Sequence, residues 1–160
     1  MILLILHDRR SLANVASIKG AIEECYGHYG LMVQESGYLY VPLEGQKLNA
    51  ALLLKYLGRE FSTKRVLWLV DRELLYPKIG PVVGCTSDKA ALLYAGIEPE
   101  VLIKEALHEV GHLMGLDHCL QDCVMQLSRT EKNAWEKPSR LCPTCTTRLN
   151  QRAQLRSGSP

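Results

Sequence analysis

The chain has 160 residues, 47% of them hydrophobic and 22% charged, which suits one ordinary globular domain with enough length for a core. Its net charge is only +2 but unevenly spread: from Arg129 onward seven Lys and Arg face two acids, a net of +5, leaving −3 for residues 1–128. No apolar run approaches a membrane span, and the start at Met1 lacks the basic region and cleavage site of a signal peptide, so the expectation is a cytosolic protein with no membrane partner.

Ile2 to Leu6 is a continuous apolar run, the pattern of a strand buried on both faces. Ser11 can cap a helix in which Leu12, Val15, Ile18, Ile22 and Cys25 recur at helical spacing, closed by Gly27 and Gly30. Residues 31–41 alternate imperfectly and read as a second strand, ended by Pro42 and Gly45. Asn49 precedes a second helix with Leu53, Leu57 and Phe61 along one stripe, and Arg65 to Val70 is a short apolar third strand. This β-α-β-α-β order predicts a largely parallel sheet with crossover helices. Between Tyr76 and Gly96 the pattern is broken by Pro77, Gly80, Pro81 and Gly84. Val82-Val83 and Ala90 to Tyr94 read either as short strands, with an edge on which an extended peptide can lie, or as a meandering connection.

The next helix carries the chemistry. In His108-Glu109-Val110-Gly111-His112 the two histidines are four apart, so they project from one helix face a turn apart and can share a metal ion. Glu109 points about 100° away around the helix. There it flanks the metal instead of joining the pair, which is the place of a general base for an activated water. Leu102, Ile103, Ala106, Leu107, Val110, Leu113 and Met114 fall in one arc on the opposite side. The helix is expected to start near Glu98-Pro99-Glu100, because proline suits a first turn and acids suit its positive end. Gly111 inside it leaves room for another backbone to pass close by. Gly115 can adopt the left-handed conformation that ends a helix, so that the chain swings back and presents His118 as a third ligand. A bare HExxH occurs in helices by chance; the Gly115–His118 extension and the separation of faces decide for metal. Three imidazoles and an open fourth position describe a catalytic zinc site.

In a cytosolic chain, six cysteines argue for thiols and metal over disulfides. Cys119 and Cys123, followed by Cys142-Pro143-Thr144-Cys145, form two close pairs suited to a closed, tetrahedral zinc site; a redox role for the CxxC pair is the lesser alternative. Cys25 and Cys85 read as buried small apolar residues, and His7 and His28 as loop or element-end histidines.

The run from His108 to Cys145, with HEVGHLMGLDH, a cysteine directly after the third histidine, Cys123-Val124-Met125 and a later CPTC, resembles the signature of the archaemetzincins, a branch of the metzincin zinc peptidases. The resemblance covers about a quarter of the chain. It implies that His108, His112 and His118 bind the catalytic zinc with Glu109 as base. It also implies that Met125 is the methionine of the turn beneath the metal, and that the four cysteines hold a structural zinc. Two loops are one residue shorter than in the family pattern, that between Cys119 and Cys123 and that between Met125 and Cys142.

The fold expected is α+β and metzincin-like: a mixed, mostly parallel sheet with crossover helices, an active-site helix and a small C-terminal segment stapled by zinc. One domain spans 1–160, with sheet and helices over 1–115 and the methionine turn and four-cysteine segment over 116–160. The function expected is hydrolysis of peptide or protein substrates by a monomer with two zinc ions, one catalytic and one structural. Two rivals stand beside it. One is a module contacting nucleic acid through the basic stretch from Arg129 to Arg156, where Arg148, Arg152 and Arg156 recur four apart; a solvated helix face is the preferred reading of that stripe. The other is a zinc protein whose peptidase centre is unproductive or very selective.

Overall fold

The computed structural model describes residues 1–9, 11, 13–42, 45, 47–128 and 131–157. The elements run β1 (Ile2–His7), α1 (Val15–Tyr26), β2 (Met32–Tyr38), β3 (Lys47–Asn49), α2 (Ala50–Glu60), β4 (Arg65–Val70), β5 (Glu73–Tyr76), β6 (Gly80–Val82), β7 (Gly84–Thr86), β8 (Ala90–Tyr94), α3 (Pro99–Leu113), α4 (Glu131–Glu136) and α5 (Pro143–Ser157). The main sheet has the order β2-β1-β4-β8-β7. Its first four strands are parallel, and β7 closes it antiparallel to β8. A smaller sheet, β3-β5-β6, stands beside it.

Both faces of the main sheet are covered, as the apolar strands demand. Side chains alternate across a strand, so Leu3, Ile5, Leu67, Leu69, Ala91 and Leu93 face a core shared with α1 and α3. Leu4, Leu6, Val66, Trp68, Ala90 and Leu92 face a second core with α2 and the small sheet. Asn49 caps α2 as expected, its Oδ1 accepting from the Leu52 N–H at 3.1 Å. The first helix differs from its expectation. It begins at Val15, where Asn14 Oδ1 accepts from the Ser17 N–H at 3.0 Å, while the Ser11 hydroxyl accepts from Ala13 N–H before the helix starts. The Leu12 of the anticipated stripe lies outside the described residues.

The stretch 76–96 is not a meander. Its part β8 is a central strand, pairing Val66 with Ala90 through to Val70 with Tyr94, and its part β7 is the sheet edge. The pattern at 31–41 contracts to Met32–Tyr38. Among the described residues no helix is long and apolar enough to cross a membrane.

Candidate metal centre and active site

Helix α3 begins with Pro99 at its first turn and Glu100 just inside, and ends where the sequence placed its stop. Gly115 takes φ +91, its N–H donating to the His112 carbonyl at 2.8 Å and the next N–H, of Leu116, to the Gly111 carbonyl at 2.9 Å. This paired closure is the usual use of a left-handed glycine at a helix end. The chain turns back on itself, and His118 arrives beside the two helical histidines. Its ring lies 5.3 Å from that of His108 and 4.8 Å from that of His112, centre to centre. One ligating nitrogen from each of the three lies within 4.8 Å of the others. They are graded from the interior outward: His108 buried, His112 half-buried, His118 exposed at the cleft.

Hydrogen bonds decide what those nitrogens can do. His108 Nδ1 lies 3.0 Å from the Val124 carbonyl and His112 Nδ1 lies 2.8 Å from the Leu116 carbonyl. A carbonyl can only accept, so both Nδ1 atoms carry the proton and both Nε2 atoms are left as lone pairs. Those lone pairs face each other at 3.1 Å. A cation between them relieves that opposition, and backbone carbonyls orienting ligand histidines from behind are a common device of zinc sites. Burial, with help from Lys137, pushes His108 down to about 3 and burial lowers His112 as well, so both rings are neutral, as ligands must be. The residues fit a zinc ion with an open position.

Glu109 is buried between α3 and the edge strand. Its carboxyl is pushed up to about 7, chiefly by burial; the Thr86 hydroxyl and Lys137 pull it down and Glu105 raises it further. Thr86 Oγ1 donates to Glu109 Oε2. On the same strand a Cβ at Gly84 would lie 2.5 Å from Glu109 Oε1, so only glycine lets the carboxylate lie against β7. Thr86 and Gly84 were not anticipated, because a three-residue strand shows no period.

Met125 is fully buried and packs against Gly111, between the two helical histidines in sequence. A Cβ on Gly111 would run into the Met125 Sδ and come 2.8 Å from the Tyr26 hydroxyl. The room that Gly111 leaves is therefore for two side chains, not for a passing backbone as expected. The Tyr26 hydroxyl itself donates to the Leu107 carbonyl at 2.7 Å.

The four cysteines converge too. One sulfur from each of Cys119, Cys123, Cys142 and Cys145 lies within 4.8 Å of the rest, with Cys119 and Cys142 at 3.6 Å. The Cys142 N–H donates to Cys123 Sγ at 3.3 Å and the Cys145 N–H to Cys142 Sγ at 3.5 Å, contacts that stabilise thiolate charge. Burial pushes Cys142 upward, but the Cys145 N–H and the neighbouring thiols more than offset it and leave the group at about 7; Cys123 and Cys145 are raised by burial. Four soft donors at this spacing fit a closed zinc site. Cys25 and Cys85 take no part: they are half-buried thiols, pushed by burial to about 11 and about 12. His7 and His28 stand elsewhere, the first on its own chain's Asp8 carbonyl and the second against Tyr29. On α5, Arg148 and Arg152 are exposed, and Arg152 lies over Gly115; the side chain of Arg156 is outside the described residues.

A mixed sheet whose edge strand faces a helix bearing HExxH, with a third histidine returned by a glycine, is the build of a zinc metallopeptidase. The profile of Peptidase family M54 matches residues 89–151. The archaemetzincin of Methanopyrus kandleri is 33% identical over 132 residues, spanning 76% of this chain and 75% of that protein. The archaemetzincin of Aeropyrum pernix is 35% identical over 96 residues, about half of either chain at 53% and 52%. The crystal structure of the Methanopyrus kandleri archaemetzincin superposes with a TM-score of 0.81 at 26% identity, covering 97% of this chain and 96% of that one. That of the Archaeoglobus fulgidus archaemetzincin, complexed with malonate, gives a TM-score of 0.74 at 21% identity over 92% and 99%. The chain belongs to the archaemetzincin family.

Proposed function

We propose that the chain hydrolyses peptide bonds, with His108, His112 and His118 holding a catalytic zinc, Glu109 as general base, and Cys119, Cys123, Cys142 and Cys145 holding a second, structural zinc. The observation that carries this reading is the pair of Nε2 lone pairs facing each other at 3.1 Å, each fixed by a backbone carbonyl behind its ring. When bound, zinc polarises the scissile carbonyl and lowers the pKa of a coordinated water toward about 7.

The chain's own residues supply the remainder. Glu109, buried beside the three histidines and held by Thr86, takes the proton of the attacking water at its carboxylate and passes it to the leaving amine. The histidine set is oriented by the Val124 and Leu116 carbonyls, and Gly115 sets the return that makes His118 the third member. Met125 fills the floor below Gly111 and supports the site without touching substrate. The substrate backbone lies in the cleft of about 1350 Å³ between β7 and α3, along the sheet edge. A cytosolic location belongs to the same reading, supported by six cysteines that form no disulfide.

The test is peptide cleavage by zinc-replete protein, with Glu109→Gln beside wild type. The variant should keep its metal and its melting temperature and lose turnover by a factor on the order of a thousand or more. Turnover near wild type in Glu109→Gln rejects the assignment of the base.

A further inference from the structure

We propose that the cleft selects peptides carrying a bulky apolar side chain a few residues from the cleaved bond, and that Ile79, Pro81 and Val83 receive it on the edge-strand wall. This rests on the peptidase reading above and names its substrate class.

Both faces of the stretch that leads into β7 are apolar. Side chains alternate between faces along an extended chain, and exposure over residues 79–83 alternates with them: Ile79, Pro81 and Val83 are exposed, Gly80 and Val82 half-buried. Val82 packs inward against the second core. A strand with one wet face ordinarily puts polar residues there. Here the outer row is isoleucine, proline and valine, with Ile79 72% and Val83 41% exposed. All three line the same cleft as Glu109 and the three histidines. Single apolar residues scattered over a surface need no explanation, whereas an adjoining row at a binding cleft marks a contact surface.

The row is held in place. Val82 pairs with Leu74, and Gly80 with Tyr76, in the ladder of β6 on β5. Before it, the Ile79 N–H closes the turn by donating to the Tyr76 carbonyl at 3.1 Å; after it, the Val83 carbonyl accepts from the Tyr94 N–H at 2.8 Å. An apolar surface fixed in this way loses little freedom on binding. Pro81 lies on β6, an outer strand of the small sheet, and has no N–H to give, so a peptide gains little by adding there as a further strand. What the row offers is side-chain contact.

Continuity with the reacting groups sets the distance. Gly84 lies against Glu109, and Val83, Pro81 and Ile79 precede it by one, three and five residues. At about 3.3 Å per extended residue, the row runs from beside Glu109 to at most about 17 Å away. When the cleaved bond of an extended peptide sits at Glu109, the side chains about two to four residues on come within reach of Pro81 and Ile79. Leucine or phenylalanine there takes apolar surface of both partners out of water; serine or aspartate does not.

The experiment scans these positions on both sides of the cleaved bond with fluorogenic peptide libraries on the zinc-loaded protein. At one of them, leucine and phenylalanine should exceed serine and aspartate in kcat/KM by about tenfold or more. The double variant Ile79→Ser/Val83→Ser changes only exposed side chains, and should bring the leucine-to-serine ratio near one. Ile79→Glu alone should turn the preference at that position toward lysine, a change that salt weakens and that misfolding could not produce. In parallel, fluorescent leucine- and serine-bearing peptides are bound to the Glu109→Gln protein, where the leucine peptide should bind more tightly and keep that advantage in high salt. Sedimentation of wild type and the double variant reports whether the row joins two copies of the chain. Cleavage with no apolar preference at any scanned position, or with one that the double variant and Ile79→Glu both leave intact, overturns the row alone. So does a wild-type dimer that the double variant splits. Selective leucine binding with no cleavage of any library member sinks the peptidase reading and keeps the row.

Discussion

His108 and Glu109 are neighbours in sequence, yet they are fixed from opposite sides of the molecule. The histidine takes its orientation from the Val124 carbonyl in the loop after α3, and the glutamate from Thr86 on the sheet edge before it. Gly111, between the two histidines, shows how little slack the site contains. Alanine there should gain up to about 1 kcal/mol of helix propensity. Its methyl group, however, meets Met125 and the Tyr26 hydroxyl in a fully buried place, and overpacking of that kind typically costs about 1–3 kcal/mol. Gly111→Ala should therefore be net destabilising in urea unfolding and weaken zinc binding at the histidines. Stability equal to or above wild type would show that Met125 is free to move aside.

At the scale of elements, the caps offer a direct comparison. Asn14 bonds the Ser17 N–H at the start of α1, whereas Ser11 bonds outside the helix. Asn14→Ala should thus cost about 1 kcal/mol, with Ser11→Ala within about 0.5 kcal/mol of wild type; the reverse order would restore Ser11 as the cap. The sequence shows both residues as equally good candidates, since capping depends on where the backbone bends. The metal helix was legible for the opposite reason. Four-residue spacing on a helix and a glycine stop each have one geometric meaning, so His108, His112, Gly115 and His118 could be placed without coordinates. Thr86, Gly84, Glu105 and Lys137 were not legible. The first two sit on a strand of three residues, and the last two meet only because α4 packs on α3, with Lys104 donating to the Trp135 carbonyl at 2.7 Å. The cysteine segment carries its own prediction. Cys119 bonds through its N–H to the Met125 carbonyl at 2.9 Å, and Val124 through its N–H to the Arg140 carbonyl at 2.8 Å. Zinc on the four thiolates would therefore pin both flanks of the loop that carries His118 and Met125. Cys142→Ser should lower the melting temperature and raise hydrogen exchange across residues 119–156, with the parallel sheet still protected. Unchanged melting and protection with full zinc content would show that the segment folds without a complete ligand set.

At the scale of the molecule, the two proposed zinc sites differ in kind although they share one loop. The parallel sheet is buried on both faces, chiefly by its own helices and by the small sheet, so it is expected to stay folded when metal is removed. The histidine site is open to the cleft through His118 and uses neutral ligands. The cysteine site is closed, with three of its four residues buried and with ligands that become anionic on binding. A mild chelator such as dipicolinate should therefore remove one zinc first and abolish hydrolysis, leaving hydrogen-exchange protection of β1, β4 and β8 unchanged and the melting temperature only slightly lowered. A stronger chelator, or a thiol-modifying reagent, is needed to remove the second. Its loss should open residues 119–156 while the sheet stays folded, and re-addition of zinc alone should restore both segment and activity if the thiols are kept reduced. Metal content per chain, activity and protection, followed along one chelator titration, test the order of events. Simultaneous loss of both metals, or melting of the sheet with the first, would show that the sites are one cooperative unit and that their division into catalytic and structural is wrong.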